Sequence, residues 1–253
     1  DSNLKGIAAT KLDKLGWRDK VRAIVLGHAH LDHIGGVPYL AYRYPKAQIF
    51  GTSFTIKVLE TICEDEGIKL YNPMKIISPS STHIVYGKAP IKLEFIHTTH
   101  STIDCVFPVL HTKEGAFIYA LDLKFDNHPT IGSPPDYKRL IELGKQGVKI
   151  LIVDALYSGT EKKPGGEKIA QHLLQDAFSK VREKDSALFV TTFSSHIERL
   201  NNIVNFGLQT KRQIVFIGRS LNKYVTCAMK VGKCPFYNKI KLIKYKNQIN
   251  SFL

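Results

Sequence analysis

The segment His28-Ala29-His30-Leu31-Asp32-His33 constrains this chain most, because it sets four side chains able to ligate a metal within six residues. Residues 21–26 (VRAIVL) are a short apolar run ending at Gly27, so the cluster opens just past a strand. Side chains two apart on such a stretch point to the same side, and the imidazoles of His28 and His30 can therefore reach one ion. Asp32 and His33 follow in the turn, which can aim them at a second point about 3.5–4 Å away, the spacing of two-ion hydrolytic sites. Imidazole with carboxylate, and no thiolate, suits zinc or manganese. A pair of such ions holds and acidifies a bridging water, giving hydroxide near neutral pH.

Further ligands must come from other segments. His100 lies just beyond the alternating run at 91–95 (IKLEF), at a strand end from which it can complete a set of three histidines. His97 is on the same stretch but three residues away, points elsewhere, and reads as structural. Asp122 sits where the apolar run 116–120 ends, and is a candidate for the carboxylate that bridges both ions. Taken alone it could equally close a turn or cap a helix.

The rest of the chain alternates strand and helix patterns. Residues 34–45 (IGGVPYLAYRYP) have helix-like apolar spacing and a proline stop, 48–50 read as a strand, and 53–67 as a helix closed by glycine. Residues 105–110 and 116–120 read as two strands, 137–144 as a short helix, and 150–153 (ILIV) as a buried strand. The polar, glycine-bearing stretch 160–166 (TEKKPGG) marks a change of texture, and a domain boundary is expected near 157–166. Beyond it, 167–182 is amphipathic, 187–191 reads as a strand, 197–206 as a helix, and 214–217 as a strand ending at Gly218-Arg219-Ser220. This alternation suggests a parallel, doubly wound unit. The final stretch from Cys234 alternates lysine with apolar residues. It reads as an edge strand with lysines toward water, or as a basic arm on nucleic acid.

Composition ranks the partners. Lys and Arg number 36 against 22 acidic residues, a net charge of +14 that attracts polyanions, nucleic acid foremost. No stretch approaches the roughly 18 apolar residues of a membrane span, and the first residues lack a signal-peptide layout. Cys63, Cys105, Cys227 and Cys234 form no C-x-x-C pair and read as reduced thiols of a cytoplasmic protein.

In the order HAHLDH, His100, Asp122, the chain resembles the metallo-β-lactamase fold, with its H-x-H-x-D-H motif, distant histidine and distant aspartate. The words HAHLDHIGGVPYL, TTHSTIDC, ALDLKFD and TTFSSHIERL, followed by IGRS, resemble the β-CASP nucleases, and the ribonuclease J group most closely. The resemblance implies an α/β fold: an incomplete αββα metallo-β-lactamase sandwich over residues 1–160, lacking its N-terminal strands, then the start of a parallel-sheet β-CASP domain over 161–253. It implies two divalent ions, Zn2+ first and Mn2+ as the alternative, held by His28, His30, Asp32, His33, His100 and Asp122. Catalysis would fall to Asp32, His33, Asp122 and Asp154.

Asp154 matches the acidic residue that opens the β-CASP region, where it would hold a ligand histidine in orientation; the alternative is a plain strand-end aspartate. Glu167 resembles a glutamate of the same region. Ser194, Ser195 and His196, with Thr192, form one loop before a helix, and Gly218, Arg219 and Ser220 another. Such loops can cradle phosphate, and in the family they line the path of RNA and its 5′ end. His196 is equally open to a structural or capping role. The implied activity is metal-dependent hydrolysis of RNA phosphodiester bonds, as a 5′–3′ exonuclease, an endonuclease or both. The implied partners are single-stranded RNA and a second copy in a homodimer, with no membrane. The alternatives are a DNA nuclease of the same superfamily and an impaired nucleic-acid-binding fragment. The family also carries earlier strands and later histidine motifs. No histidine follows Ser220, so a chain truncated at both ends, with a weakly held second ion, is expected.

Overall fold

The computed structural model describes residues 14–161, 165–181 and 187–243. Strands β1 (Ala23–Val25), β2 (Gln48–Thr52) and β3 (Met74–Ile77) form a parallel sheet in that order, with Ile24 opposite Ile49 and Phe50 opposite Lys75. Strands β4 (Thr82–Val85), β5 (Ile91–His97), β6 (Val106–Thr112), β7 (Gly115–Tyr119) and β8 (Val148–Ile152) form a second sheet, antiparallel except for the parallel β7–β8 pair.

Successive strand side chains face opposite ways, and this sorts the core into layers. Phe50 of β2, Ile77 of β3, Leu93 and Phe95 of β5 and Val106 of β6 meet in one buried cluster, so the two sheets pack face to face. On the outer face of the first sheet, Ile49 joins Phe54, Val58, Leu59 and Ile62 of helix α3 (Ser53–Glu66). On the outer face of the second, Ile96, Phe107, Val109 and Ile118 pack on Leu143 of helix α4 (Tyr137–Gln146). The result is the α/β/β/α sandwich that the resemblance implies. Between β1 and α3 lie two single-turn helices, α1 (Leu31–Ile34) and α2 (Val37–Leu40).

The later residues add α5 (Glu167–Ser179), α6 (Ile197–Gln209), β9 (Val215–Ile217), α7 (Arg219–Lys230) and β10 (Lys241–Ile243). β9 and β10 pair in parallel, with α7 between them as the crossover. Ile197, Leu200 and Val204 of α6 and Tyr224, Val225 and Ala228 of α7 enter the same buried cluster as α3 and β2. One apolar core is thus shared across the boundary expected near 157–166.

Several sequence expectations change. The run at 150–153 lies in β8, but every residue of that strand is exposed, Leu151 at 58%. Among the described residues β8 pairs only with β7, so its outer edge and both faces meet solvent. Residues 187–191 form no strand, and Phe189 is 87% exposed. β3 and β4 were not anticipated, nor was α7. Part of the lysine-rich end forms β10, against β9; residues 244–253 lie outside the described residues. The four cysteines are free thiols, as the sequence suggests. No described helix is long and apolar enough to cross a membrane.

Truncating a side chain in the shared core should loosen both segments together. Ile197→Ala, at a fully buried position, is expected to cost about 2–5 kcal/mol. Urea unfolding followed by Trp17 fluorescence and by far-UV circular dichroism should shift as one coincident transition. Two separated transitions would contradict a common core.

Candidate metal centre

β1 delivers its histidines through a crowded exit. A Cβ on Gly27 would stand 1.7 Å from a methyl carbon of Leu121 and 2.9 Å from the Val106 carbonyl oxygen, so only glycine lets the chain pass here. The Gly27 carbonyl accepts from Val106 N–H at 2.9 Å, which ties the end of β1 to the start of β6. Leu121 itself holds φ at +43°, in the left-handed region that bulky residues avoid. That backbone conformation turns the chain just past β7 and presents Asp122.

The side chains expected to ligate metal converge. The His28 ring lies 4.8, 4.1 and 5.1 Å, centre to centre, from those of His30, His33 and His100, and His30 lies 4.8 Å from His100. One Asp122 oxygen, Oδ2, is 3.2 Å from His33 Nε2, 3.7 Å from His100 Nε2 and 3.9 Å from His28 Nε2. Candidate ligand atoms fall into two groups, His28 with His30, His100 and Asp122, and Asp32 with His33 and Asp122. Within each they lie within 4.8 Å of one another. Asp122 belongs to both groups, as expected of a bridging carboxylate. Asp32 is the least confined, its side chain 75% exposed and 3.5 Å from His33 Nε2.

The electrostatics fit a cation. His28 is fully buried, and neither of its ring nitrogens has a hydrogen-bond partner, a costly state for a buried polar group that a bound cation relieves. Burial, followed by the neighbouring imidazoles, lowers the His28 pKa to about 2. Burial and His30 lower that of His100 to about 4, against the pull of Asp122. Burial also lowers His30, which Asp32 and Asp122 partly offset. These rings are therefore neutral at physiological pH, the form that donates a lone pair to metal.

The other expected site residues are dispersed. The Asp154 carboxylate accepts from Leu156 N–H at 2.9 Å and is not bonded to a histidine; its own N–H reaches the Leu121 carbonyl, one residue before Asp122. Ser195 and His196 are buried at the start of α6, with Ser194 half-buried before them. His196 is close enough to His30 and His100 for its charge to act on both. Gly218 precedes α7, and Arg219 and Ser220 line a separate cleft of about 710 Å3 with Glu64, Asp65 and Glu66 at the end of α3. His97 stands outside both ligand groups, with Nε2 donating to the Ser133 carbonyl. A cavity of about 370 Å3 opens beside His100, lined also by Ile131, Glu198 and Lys233.

Sequence reasoning did not anticipate the buried charge cluster next to the site. The Glu167 carboxylate accepts from His196 Nε2 at 3.1 Å, Arg199 Nη2 at 2.7 Å and Lys124 Nζ at 3.0 Å. The ALDLKFD word contained Lys124 and Asp126, and TTFSSHIERL contained Arg199, but nothing in either spacing signalled that they meet.

Residues 13–51 match the model of the metallo-beta-lactamase superfamily, and 185–250 that of the ribonuclease J beta-CASP domain. The chain is 41% identical over 231 residues to Ribonuclease J of Pyrococcus abyssi, covering 91% of this chain and 51% of that protein. It is 36% identical to Ribonuclease J of Methanocaldococcus jannaschii, covering 94% and 53%, and 31% identical to that of Helicobacter pylori, covering 85% and 30%. The chain thus spans about half the length of the two archaeal relatives. A crystal structure of a protein of unknown function from Enterococcus faecalis shares the fold, with a TM-score of 0.56 at 14% identity over 89% of this chain and 55% of that one.

The lowered histidine pKa values make the metal-free protein acid-sensitive. Unfolded histidines protonate near the ordinary value of 6.5, whereas folded His28 and His100 resist protonation until about 2 and about 4. As pH falls from 6.5 to 4 the unfolded state takes up protons that the folded state refuses, so stability is full above 6.5 and declines below it. Thermal unfolding of the chelator-treated protein should show the midpoint falling across that window, and His100→Gln should flatten the fall. A midpoint independent of pH over this range would contradict the neutral-imidazole cluster.

Proposed function

We propose that this chain, which is similar to Ribonuclease J proteins and matches the metallo-beta-lactamase superfamily model over residues 13–51, forms the metal-binding part of a ribonuclease hydrolysing phosphodiester bonds of single-stranded RNA. The observation that carries this reading is the single Asp122 carboxylate standing between a three-histidine group and an Asp32–His33 group. Two adjoining ligand sets joined by one carboxylate suit a pair of divalent ions, Zn2+ or Mn2+. When bound, such ions supply Lewis acidity toward water and toward the charge that develops on phosphodiester oxygens.

The protein's own residues divide the remaining work. His28, buried, and His30 and His100, half-buried, hold neutral lone pairs ready for one ion, and Asp32 and His33 serve the other. Asp122 keeps both sets in register. Ser195 and His196, at the start of α6 and near His30 and His100, are the candidates for a phosphate of the RNA strand. Ser194 flanks them. Gly218, Arg219 and Ser220, set apart in their own cleft, would meet RNA only away from the reacting phosphate. Asp154 acts through the backbone that presents Asp122. The division into a metal-bearing unit over 1–160 and a β-CASP unit over 161–253 is part of the proposal, with the shared core as the joint.

The substrate class rests on the relatives named Ribonuclease J and on the net charge of +14, which suits a polyanion. End-labelled single-stranded RNA, incubated with the protein and Mn2+ or Zn2+, should be cleaved. His30→Ala and Asp122→Ala should each lower the rate about 100-fold or more, and excess chelator should stop it. Shortening from the 5′ end marks exonucleolytic action, and internal fragments endonucleolytic action. RNA left intact while single-stranded DNA is cut, or a His30→Ala variant as active as the parent, would contradict the reading.

A further inference from the structure

The most heavily bonded charge in the described chain lies outside the ligand set. Glu167 is 1% exposed at the first turn of α5. Its carboxylate takes hydrogen bonds from three donor residues on two other segments: Lys124, two residues past Asp122; His196, just before α6; and Arg199, in the first turn of α6 and bonded through both Nε at 2.8 Å and Nη2 at 2.7 Å. Burial alone would raise the Glu167 carboxyl, but His196 and Arg199, with Lys124, outweigh it and hold the group ionised well below the usual range.

The backbone around Glu167 extends the tie. Glu167 N–H donates to Asp126 Oδ2 at 2.6 Å, and a Cβ on Gly166 would stand 2.6 Å from Asp126 Oδ1, so the α5 start and the 122–126 loop are in direct contact. That loop is bonded in turn to the loop bearing His100. Thr99 Oγ1 donates to the Lys124 carbonyl, Lys124 N–H reaches the Thr99 carbonyl at 3.0 Å, and Asp126 N–H reaches Thr99 Oγ1 at 3.0 Å.

We propose that Glu167 is a positioning residue for the metal centre. Through Lys124 and Asp126 it sets the 99–100 and 122–126 segments, which carry His100 and Asp122, and through His196 and Arg199 it locks the same segments to the start of α6. It touches no candidate ligand atom. Its role is to keep ligands from two separate loops at one spacing. A buried carboxylate shared among three donors is costly to disturb, since removing it leaves Arg199, Lys124 and His196 without their common acceptor. Groups hydrogen-bonded to metal ligands commonly set metal affinity by about 10–100-fold, and Glu167 acts one step further out, through the loops that carry the ligands. The inference rests on the reading of His28, His30, His100 and Asp122 as metal ligands.

The test is calorimetric titration of the metal-free protein with Zn2+, with thermal unfolding of the metal-free form as a parallel readout. Glu167→Gln keeps the shape and one acceptor oxygen but not the charge, and should weaken Zn2+ binding about tenfold or more. Glu167→Asp, which keeps the charge, should recover part of that loss. Lys124→Gln removes the side-chain tie from Glu167 to the Asp122 loop while leaving the Glu167 N–H to Asp126 bond, and should weaken binding in the same direction by less, so it decides the matter if Glu167→Gln does not fold. Unchanged Zn2+ affinity in the folded variants would overturn the inference alone. So would a loss that Glu167→Asp fails to recover and that merely follows a fall in melting temperature. A parent chain that binds no Zn2+ would overturn the ligand assignment and this inference with it.

Discussion

Four imidazoles crowd around one carboxylate, and the rest of the structure is organised to bear the cost of that arrangement. Rings 4.1–5.1 Å apart cannot all carry charge, and burial at His28 opposes even one. His28, His30 and His100 are held toward the neutral form, and a neutral buried imidazole without a hydrogen-bond partner, as at His28, is itself unfavourable. The cluster makes chemical sense as a receptor for cations, which convert mutual discouragement into shared coordination. Asp122 is the only residue that belongs to both ligand groups among the described residues, so its placement is the most exacting demand on the fold.

The layers of the sandwich meet that demand. The two sheets meet at one place: Gly27, just past β1, lies beside Val106 at the start of β6 and against Leu121, just past β7. The face-to-face cluster of Phe50, Phe95 and Val106 makes this junction rigid, since close-packed interiors yield little to displacement. Helices α6 and α7 join the buried cluster formed by α3 and β2, so the later part of the chain helps to hold the platform on which the earlier part sets its ligands. The Glu167 cluster is the polar counterpart of that apolar contact, closer to the ligands and made of charges rather than methyl groups.

Legibility in the sequence followed the distance between cooperating residues. HAHLDH was readable because its members are neighbours along one turn, and His100 and Asp122 because each ends an apolar run. The Glu167 cluster was not, because Lys124, Glu167, His196 and Arg199 are long or lone polar residues from separate segments, and each alone looks like ordinary surface charge. Strands β3 and β4 are four residues each, too short for alternation to rise above background. The run at 150–153 misled in another way. Uniform apolarity usually marks a strand covered on both faces, whereas here β8 has a neighbour on one edge and no cover among the described residues. Helix α7 was hidden behind its opening Gly218-Arg219-Ser220, which drew the reading toward a phosphate loop. Those residues stand at the N-terminus of α7, beside the acidic end of α3.

In the proposed centre, histidine nitrogens and one shared carboxylate, rather than thiolates or backbone oxygens, hold the metal. X-ray absorption at the zinc edge of the Zn2+-loaded protein reports that directly. The expected spectrum has a first shell of nitrogen and oxygen at about 2.0–2.1 Å with imidazole multiple scattering, reduced in His28→Ala. A shell containing sulfur near 2.3 Å, or one of oxygen alone without the imidazole signature, would contradict the account.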